Sequence, residues 1–125
     1  MKAVGIEKEG KKEGIWKFYY RNGKVLSDGE YVNGVAEGKW KHYYDNGVIS
    51  SEGVEKQGNK DGYWKLYYKN GQFKAEGNFI NGNGHDKEYY ESGKLKIEGD
   101  VINDKNKGAW KYYYENGTLE GECFF

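Results

Sequence analysis

The chain carries no excess of either charge: Lys plus Arg and Asp plus Glu number 20 each. A general nucleic-acid binder needs a basic surplus to neutralise phosphate, so that class is set aside. A polybasic membrane-surface anchor is set aside for the same reason. Proline is absent, and cysteine occurs once, as Cys123. One cysteine permits no intrachain disulfide and fits a reducing compartment. No apolar run approaches the roughly 20 residues that span a bilayer as a helix. No leader is visible before the patterned sequence, so a cytoplasmic protein is expected. The alternative is an exported one whose signal peptide lies outside this sequence. His42, His85 and Cys123 are too few and too scattered to form a metal set. No Gly-Lys-Ser/Thr phosphate loop occurs, and no cofactor is expected.

Glycine and aromatics are abundant instead: 20 Gly, 13 Tyr and 4 Trp. Many turn formers with many aromatics point to an all-β chain rather than a disordered linker. The sequence also repeats. Trp16, Trp40 and Trp64 are 24 residues apart, and Trp110 follows 46 later, with Asp86 where one more tryptophan belongs. Tyrosine pairs keep the same register: Tyr19-Tyr20, Tyr43-Tyr44, Tyr67-Tyr68, Tyr89-Tyr90 and Tyr113-Tyr114. Two residues beyond each pair stands Asn22-Gly23, Asn46-Gly47, Asn70-Gly71, Ser92-Gly93 or Asn116-Gly117. Repeats are therefore expected at about residues 14–37, 38–61, 62–83, 84–107 and 108–125. A half repeat over 1–13 precedes them, all within one domain, 1–125.

Asn-Gly between alternating strands favours a two-residue type I′ turn. Counting outward from it pairs Tyr20 with Val25, Phe18 with Ser27, Lys17 with Asp28 and Trp16 with Gly29. The same count in the fifth copy pairs Tyr114 with Leu119, Lys111 with Glu122 and Trp110 with Cys123. Phe125 then takes the position of Tyr31, Phe79 and Val101. Longer turns are expected between hairpins, such as Asn33–Gly38 and Gln57–Gly62, with a turn two residues shorter after the third copy. Alternation then gives two faces. One carries Trp16, Phe18, Tyr20, Val25, Gly29 and Tyr31, with each tryptophan over a strand glycine. The other carries a lysine–acid ladder and a stripe of Tyr19, Tyr43, Tyr67, Tyr89 and Tyr113.

The pattern G-x-W-K-x-Y-Y-x-N-G followed by E-G-x-Y-x-N-G resembles MORN repeats, and more closely the variant in bacterial YwqK-like antitoxin-family proteins. The resemblance runs from about Gly5 to Phe125. It implies one long, twisted antiparallel sheet of stacked hairpins, about five plus one N-terminal strand, curved so that the aromatic face lines a groove. It also implies neutralisation of a toxin by binding it. Other MORN proteins are scaffolds or are linked to membranes and cytoskeleton. No catalytic residues come with the family, and a kinase label is rejected because the phosphate loop is missing.

The candidate partner-binding residues are His42, Glu55, Asp86, Glu88, Tyr44, Tyr68 and Tyr90. His42 replaces Phe18, Leu66 and Tyr112, and packing is favoured over ligand contact. Ser51 lies opposite it, without the third group that nucleophilic catalysis requires. His85 is expected to be a solvated turn residue. Asp86 and Glu88 place two carboxylates on the aromatic face, and Glu55 adds a third where Tyr31 stands in the first copy. These read as a decayed repeat open to water or, if they act, as an acidic notch for a basic partner residue. Tyrosines offer large contact area at low entropy cost. The expected function is that of a non-enzymatic protein-binding module of antitoxin or immunity type, its partner a protein and on this reading a toxin. The alternatives are a structural scaffold or a surface repeat protein. The first and last strands would be sheet edges, open to homodimer formation or to a partner strand.

Overall fold

The computed structural model describes residues 2–125. Met1, the first residue of the expected half repeat, lies outside the described residues. The strands are β1 (Lys2–Lys8), β2 (Lys11–Tyr19), β3 (Val25–Val32), β4 (Val35–Tyr43), β5 (Ile49–Lys56) and β6 (Asn59–Tyr67). They continue as β7 (Phe73–Ile80), β8 (Asn83–Tyr89), β9 (Leu95–Ile102), β10 (Lys105–Tyr113) and β11 (Leu119–Phe124). All eleven form one antiparallel sheet in chain order, as the expected stack of hairpins requires.

The turns differ from the expected scheme. Two-residue turns with both residues at positive φ do occur, but between the expected hairpins: Glu9-Gly10, Asn33-Gly34, Gln57-Gly58, Asn81-Gly82 and Asn103-Asp104. That pair of dihedral signs marks type I′. The stretches expected as longer turns are mostly strand. The Asn-Gly sites after each tyrosine pair are three-residue loops instead. Gly23 N–H donates to Tyr20 O at 3.0 Å and Tyr20 N–H to Lys24 O at 2.8 Å. Only Gly23 has positive φ there. Asn22 earns its place through its side chain, whose Oδ1 accepts from Lys24 N–H at 2.9 Å. This Asx bond stabilises the loop without a left-handed asparagine.

A longer loop should shift every pair by one. A one-residue bulge cancels the shift. Tyr19 faces Val25, Leu26 is unpaired, and Phe18 faces Ser27, Lys17 faces Asp28 and Trp16 faces Gly29. The expected pairs beyond the bulge therefore form, while Tyr20 with Val25 does not. The fifth copy behaves alike: Trp110 faces Cys123 and Lys111 faces Glu122, but Leu119 faces Tyr113 rather than Tyr114. The bulge also reverses the expected facing of the Val25 position. Its equivalent Phe73 packs against Tyr67 and Tyr89, on the face opposite the tryptophans.

A second, two-residue irregularity precedes each of the four tryptophans. Gly29 faces Trp40 but Glu30 faces Glu37, leaving Gly38 and Lys39 as the extra pair. Gly38 has φ 77°, which a side chain would strain. The fourth copy has no such step: Asn78 faces His85 and Gly77 faces Asp86 in unbroken register. Its two-residue deletion removes the bulge and leaves the facing intact.

The core is one layer of indoles. Trp16, Trp40, Trp64 and Trp110 are buried, Trp64 to 2% exposure. Each covers the glycine of the preceding strand, not the following one as expected: Trp40 lies over Gly29 and Trp64 over Gly53. A Cβ on Gly29 would stand 2.0 Å from the Trp40 ring. Each indole also donates to a carbonyl of that strand, as Trp64 Nε1 does to Val54 O at 2.8 Å. Tryptophan and glycine thus act as one unit, and both are required for close approach.

Candidate functional site

The unit is broken once. In the fourth copy Asp86 replaces the indole, and Gly77 is covered instead by Phe79, whose ring would lie 2.5 Å from a Cβ there. Phe79 is accordingly buried and joins Trp40 and Trp64 in the core cluster. Beside it remains a cavity of about 210 Å³ lined by Lys60, Leu66, Phe79, Asp86, Val101 and Asp104. A larger cleft of about 620 Å³ lies by Lys2, Val4 and the loop from Tyr19 to Gly23, where Val4 takes the position that Asp28 and Glu52 hold in later copies.

Asp86 is half-buried. Burial first, and the nearby Glu88 charge second, push its carboxyl up to about 6, while Lys60 opposes them. Glu55 is also raised by burial, against the pull of Lys60, with Asp104 pushing further upward. Its Oε2 is shielded from solvent and has no hydrogen-bond partner. Lys60 faces Glu55 across the Gln57-Gly58 turn. Its ammonium lies 5.5 Å from the ring centroids of both Trp64 and Phe79. The structure thus brings Glu55 and Asp86 within electrostatic reach of one cation, with the Glu88 charge beside Asp86. Sequence reasoning missed Lys60 and Asp104 because it assigned both to long turns.

His42 does not line the cavity, though the Lys60 charge reaches it. Its ring stacks between Trp40, at 6.0 Å, and Trp64, at 6.3 Å. Burial holds its pKa below the ordinary value, and the Lys60 charge adds to that. Ser51 and Ser27 flank it on the neighbouring strands. Tyr44, Tyr68 and Tyr90 are each committed through the hydroxyl, donating to Tyr67 O, Tyr89 O and Tyr113 O at 2.6, 2.7 and 2.6 Å. Each therefore ties its own loop to the next repeat and leaves the half-exposed ring for contact.

The opposite face is organised by tyrosine rather than lysine. The expected lysine–acid partners adjoin in register, but among the described residues the ion pairs are Lys69–Asp45 and the two that His85 makes. The acids accept from phenols instead: Tyr67 to Glu52 at 2.9 Å, Tyr89 to Glu76 at 2.5 Å and Tyr113 to Glu98 at 3.2 Å. Glu76 also accepts from Tyr63, at 2.7 Å. Those two bonds hold Glu76 below the usual carboxylate range, and the bond to Glu76 pushes Tyr63 up to about 12. His85 is not a turn residue. It lies on β8, bonded through Nδ1 to Asp100 at 2.8 Å and through Nε2 to Glu98 at 3.0 Å. Its bond to Asp100 is the main reason its pKa is raised.

Among the described residues no group of three or more His, Cys, Asp or Glu side chains is placed to hold a metal ion. No helix is long and apolar enough to cross a membrane. The family model described as MORN repeat variant matches five times, over residues 12–33, 36–54, 60–81, 83–103 and 107–125. No curated protein matches the chain.

Proposed function

The chain belongs to the MORN repeat variant family, and from that premise we propose that it is a non-enzymatic protein-binding module of bacterial antitoxin or immunity type. The observation that carries this reading is the state of the tyrosines. Tyr44, Tyr68 and Tyr90 form a row of half-exposed rings whose hydroxyls are already bound to backbone. Rings fixed in advance lose little entropy when a partner covers them. Carboxylates and phenols on the other face are likewise engaged with each other, which suits a rigid contact surface better than proton transfer. The proposal takes the cytoplasm as the place of action, where the exposed Cys123 thiol stays reduced. Co-purification with the product of a neighbouring gene, and rescue from that product's toxicity, are the expected results. Neither binding nor rescue would refute it.

A second reading rests on the outer strands. Ile6 on β1 is 70% exposed and Phe124 on β11 is 74% exposed. Such edges can pair with another copy to build a scaffold. Light scattering that stays at the monomer mass at high concentration would remove this reading.

A further inference from the structure

We propose that the cavity beside Asp86 receives the guanidinium of an arginine side chain presented by a partner protein, which rests on the protein-binding reading above. Three features around the fourth repeat's missing indole lead there.

The first is shape. Elsewhere on this face an indole fills the space above the preceding glycine. Here Phe79 covers Gly77 and leaves a cavity of about 210 Å³ with apolar walls from Leu66, Phe79 and Val101. A side chain with an aliphatic stem and a planar head suits such walls, because stem and head both gain contact.

The second is charge. Asp86 and Asp104 line the cavity, and Glu88 and Glu55 lie within electrostatic reach of groups that line it. Lys60 is the one cation lining the same cavity. Asp86 is partly buried, with only a backbone hydrogen bond from Lys87 and the Lys60 charge to offset that burial, so an added cation is favoured over a neutral guest.

The third is the choice among cations. Among the described residues no three ligating side chains converge on a point, so a bare metal ion has no site. The Lys60 ammonium already lies 5.5 Å from the Phe79 centroid, so the incoming cation is held by the carboxylate of Asp86 rather than by this ring. A guanidinium presents a planar fork of donors that matches a carboxylate while its stem lies along the Leu66 and Val101 walls, which an ammonium does not do equally well.

The probe is N-acetyl-arginine N-methylamide, titrated into the labelled protein and followed by NMR at Phe79, Val101 and Asp86. Saturable shifts with a dissociation constant of about 1–10 mM are expected for one isolated side chain. The citrulline analogue, equal in shape but uncharged, should bind at least about tenfold more weakly, as should the arginine probe to Asp86→Asn. Glu88→Gln, which keeps Asp86, should retain saturable binding. Absence of saturable shifts at these residues, equal binding of citrulline, or unchanged binding to Asp86→Asn would each overturn the proposal. A co-purified partner gives the second arm. Its loss from Asp86→Asn, with the fold retained by circular dichroism, is the expected result. A partner held equally by Asp86→Asn would overturn the arginine pocket while leaving the protein-binding reading intact. A chain that binds the arginine probe at Asp86 but retains no protein would refute the protein-binding reading instead, and with it the partner as source of the guanidinium.

Discussion

The third and fourth repeats share strand order and facing but solve one packing problem in two ways. In the third, Trp64 covers Gly53 and bonds to Val54 O. In the fourth, Phe79 reaches along its own strand to cover Gly77, and Asp86 takes the vacant position. The third repeat carries the two-residue bulge before its tryptophan, and the fourth does not. Bulge and indole are thus present together and absent together. The difference shows that glycine cover, not the indole itself, is what the sheet requires. Once Phe79 supplies it, the tryptophan position is free to carry charge.

Removing the cover in each repeat is the strongest way to break this comparison. Trp64→Ala should cost about 3–5 kcal/mol, since it leaves both a cavity and an unbonded carbonyl. Phe79→Ala should fall at the lower end of that range if Phe79 is the fourth repeat's cover, and near zero if it is an ordinary surface ring. Urea denaturation of the two variants measures both.

Filling the glycines gives the next effect. A Cβ on Gly53 would meet the body of the Trp64 ring at 2.2 Å, whereas one on Gly77 would meet the tip of Phe79 at 2.5 Å. Gly53→Ala should therefore destabilise by about 1–3 kcal/mol and Gly77→Ala by less, because a small tilt of the Phe79 ring tip relieves the contact while the ring stays over the strand. Equal losses would contradict the assignment of two kinds of cover.

Asp86 adds a smaller, pH-dependent effect. Its folded pKa, up to about 6, lies above the ordinary 3.8. The folded state therefore holds its proton more tightly, and this contribution is full below about pH 3.8 and lost as pH rises through about 6. Asp86→Asn should thus gain on the wild type between pH 4 and pH 8, by about 1 kcal/mol after discount for solvent screening. A difference that stays flat with pH would place the carboxyl in water.

His85 should give the smallest change. Its pKa is raised from 6.5, chiefly by Asp100. Its contribution is present at acid pH and lost as pH rises through the raised value. His85→Gln should therefore lower the melting temperature slightly at pH 5 and leave it unchanged at pH 8. A loss as large at pH 8 would mean that packing, not the proton, is what His85 contributes.

The sheet, its two faces and the register around each tryptophan were legible, because spacing and alternation specify them directly. The turns were not. Asn-Gly suits both a two-residue loop and a three-residue loop with an Asx bond, and sequence alone does not choose between them. The compensating bulge at Leu26 hid the error, since Trp16 still meets Gly29. The same error removed Lys60 and His85 from the strands, so the cation beside Asp86 and the histidine between two carboxylates were both assigned to turns. Asp86 and Glu88 were found because they break an apolar pattern. Phe79 was not singled out, because its new role lies in where its ring turns, and at that position the other copies also carry large side chains.

The measurement closest to the central claim is a carbon-detected pH titration of the Asp86 side-chain carboxyl in the free protein. A carboxylate set among apolar walls in place of an indole should titrate at about 6, and should move downward when N-acetyl-arginine N-methylamide is added. A midpoint near the ordinary 3.8 that the arginine derivative leaves unmoved would contradict it.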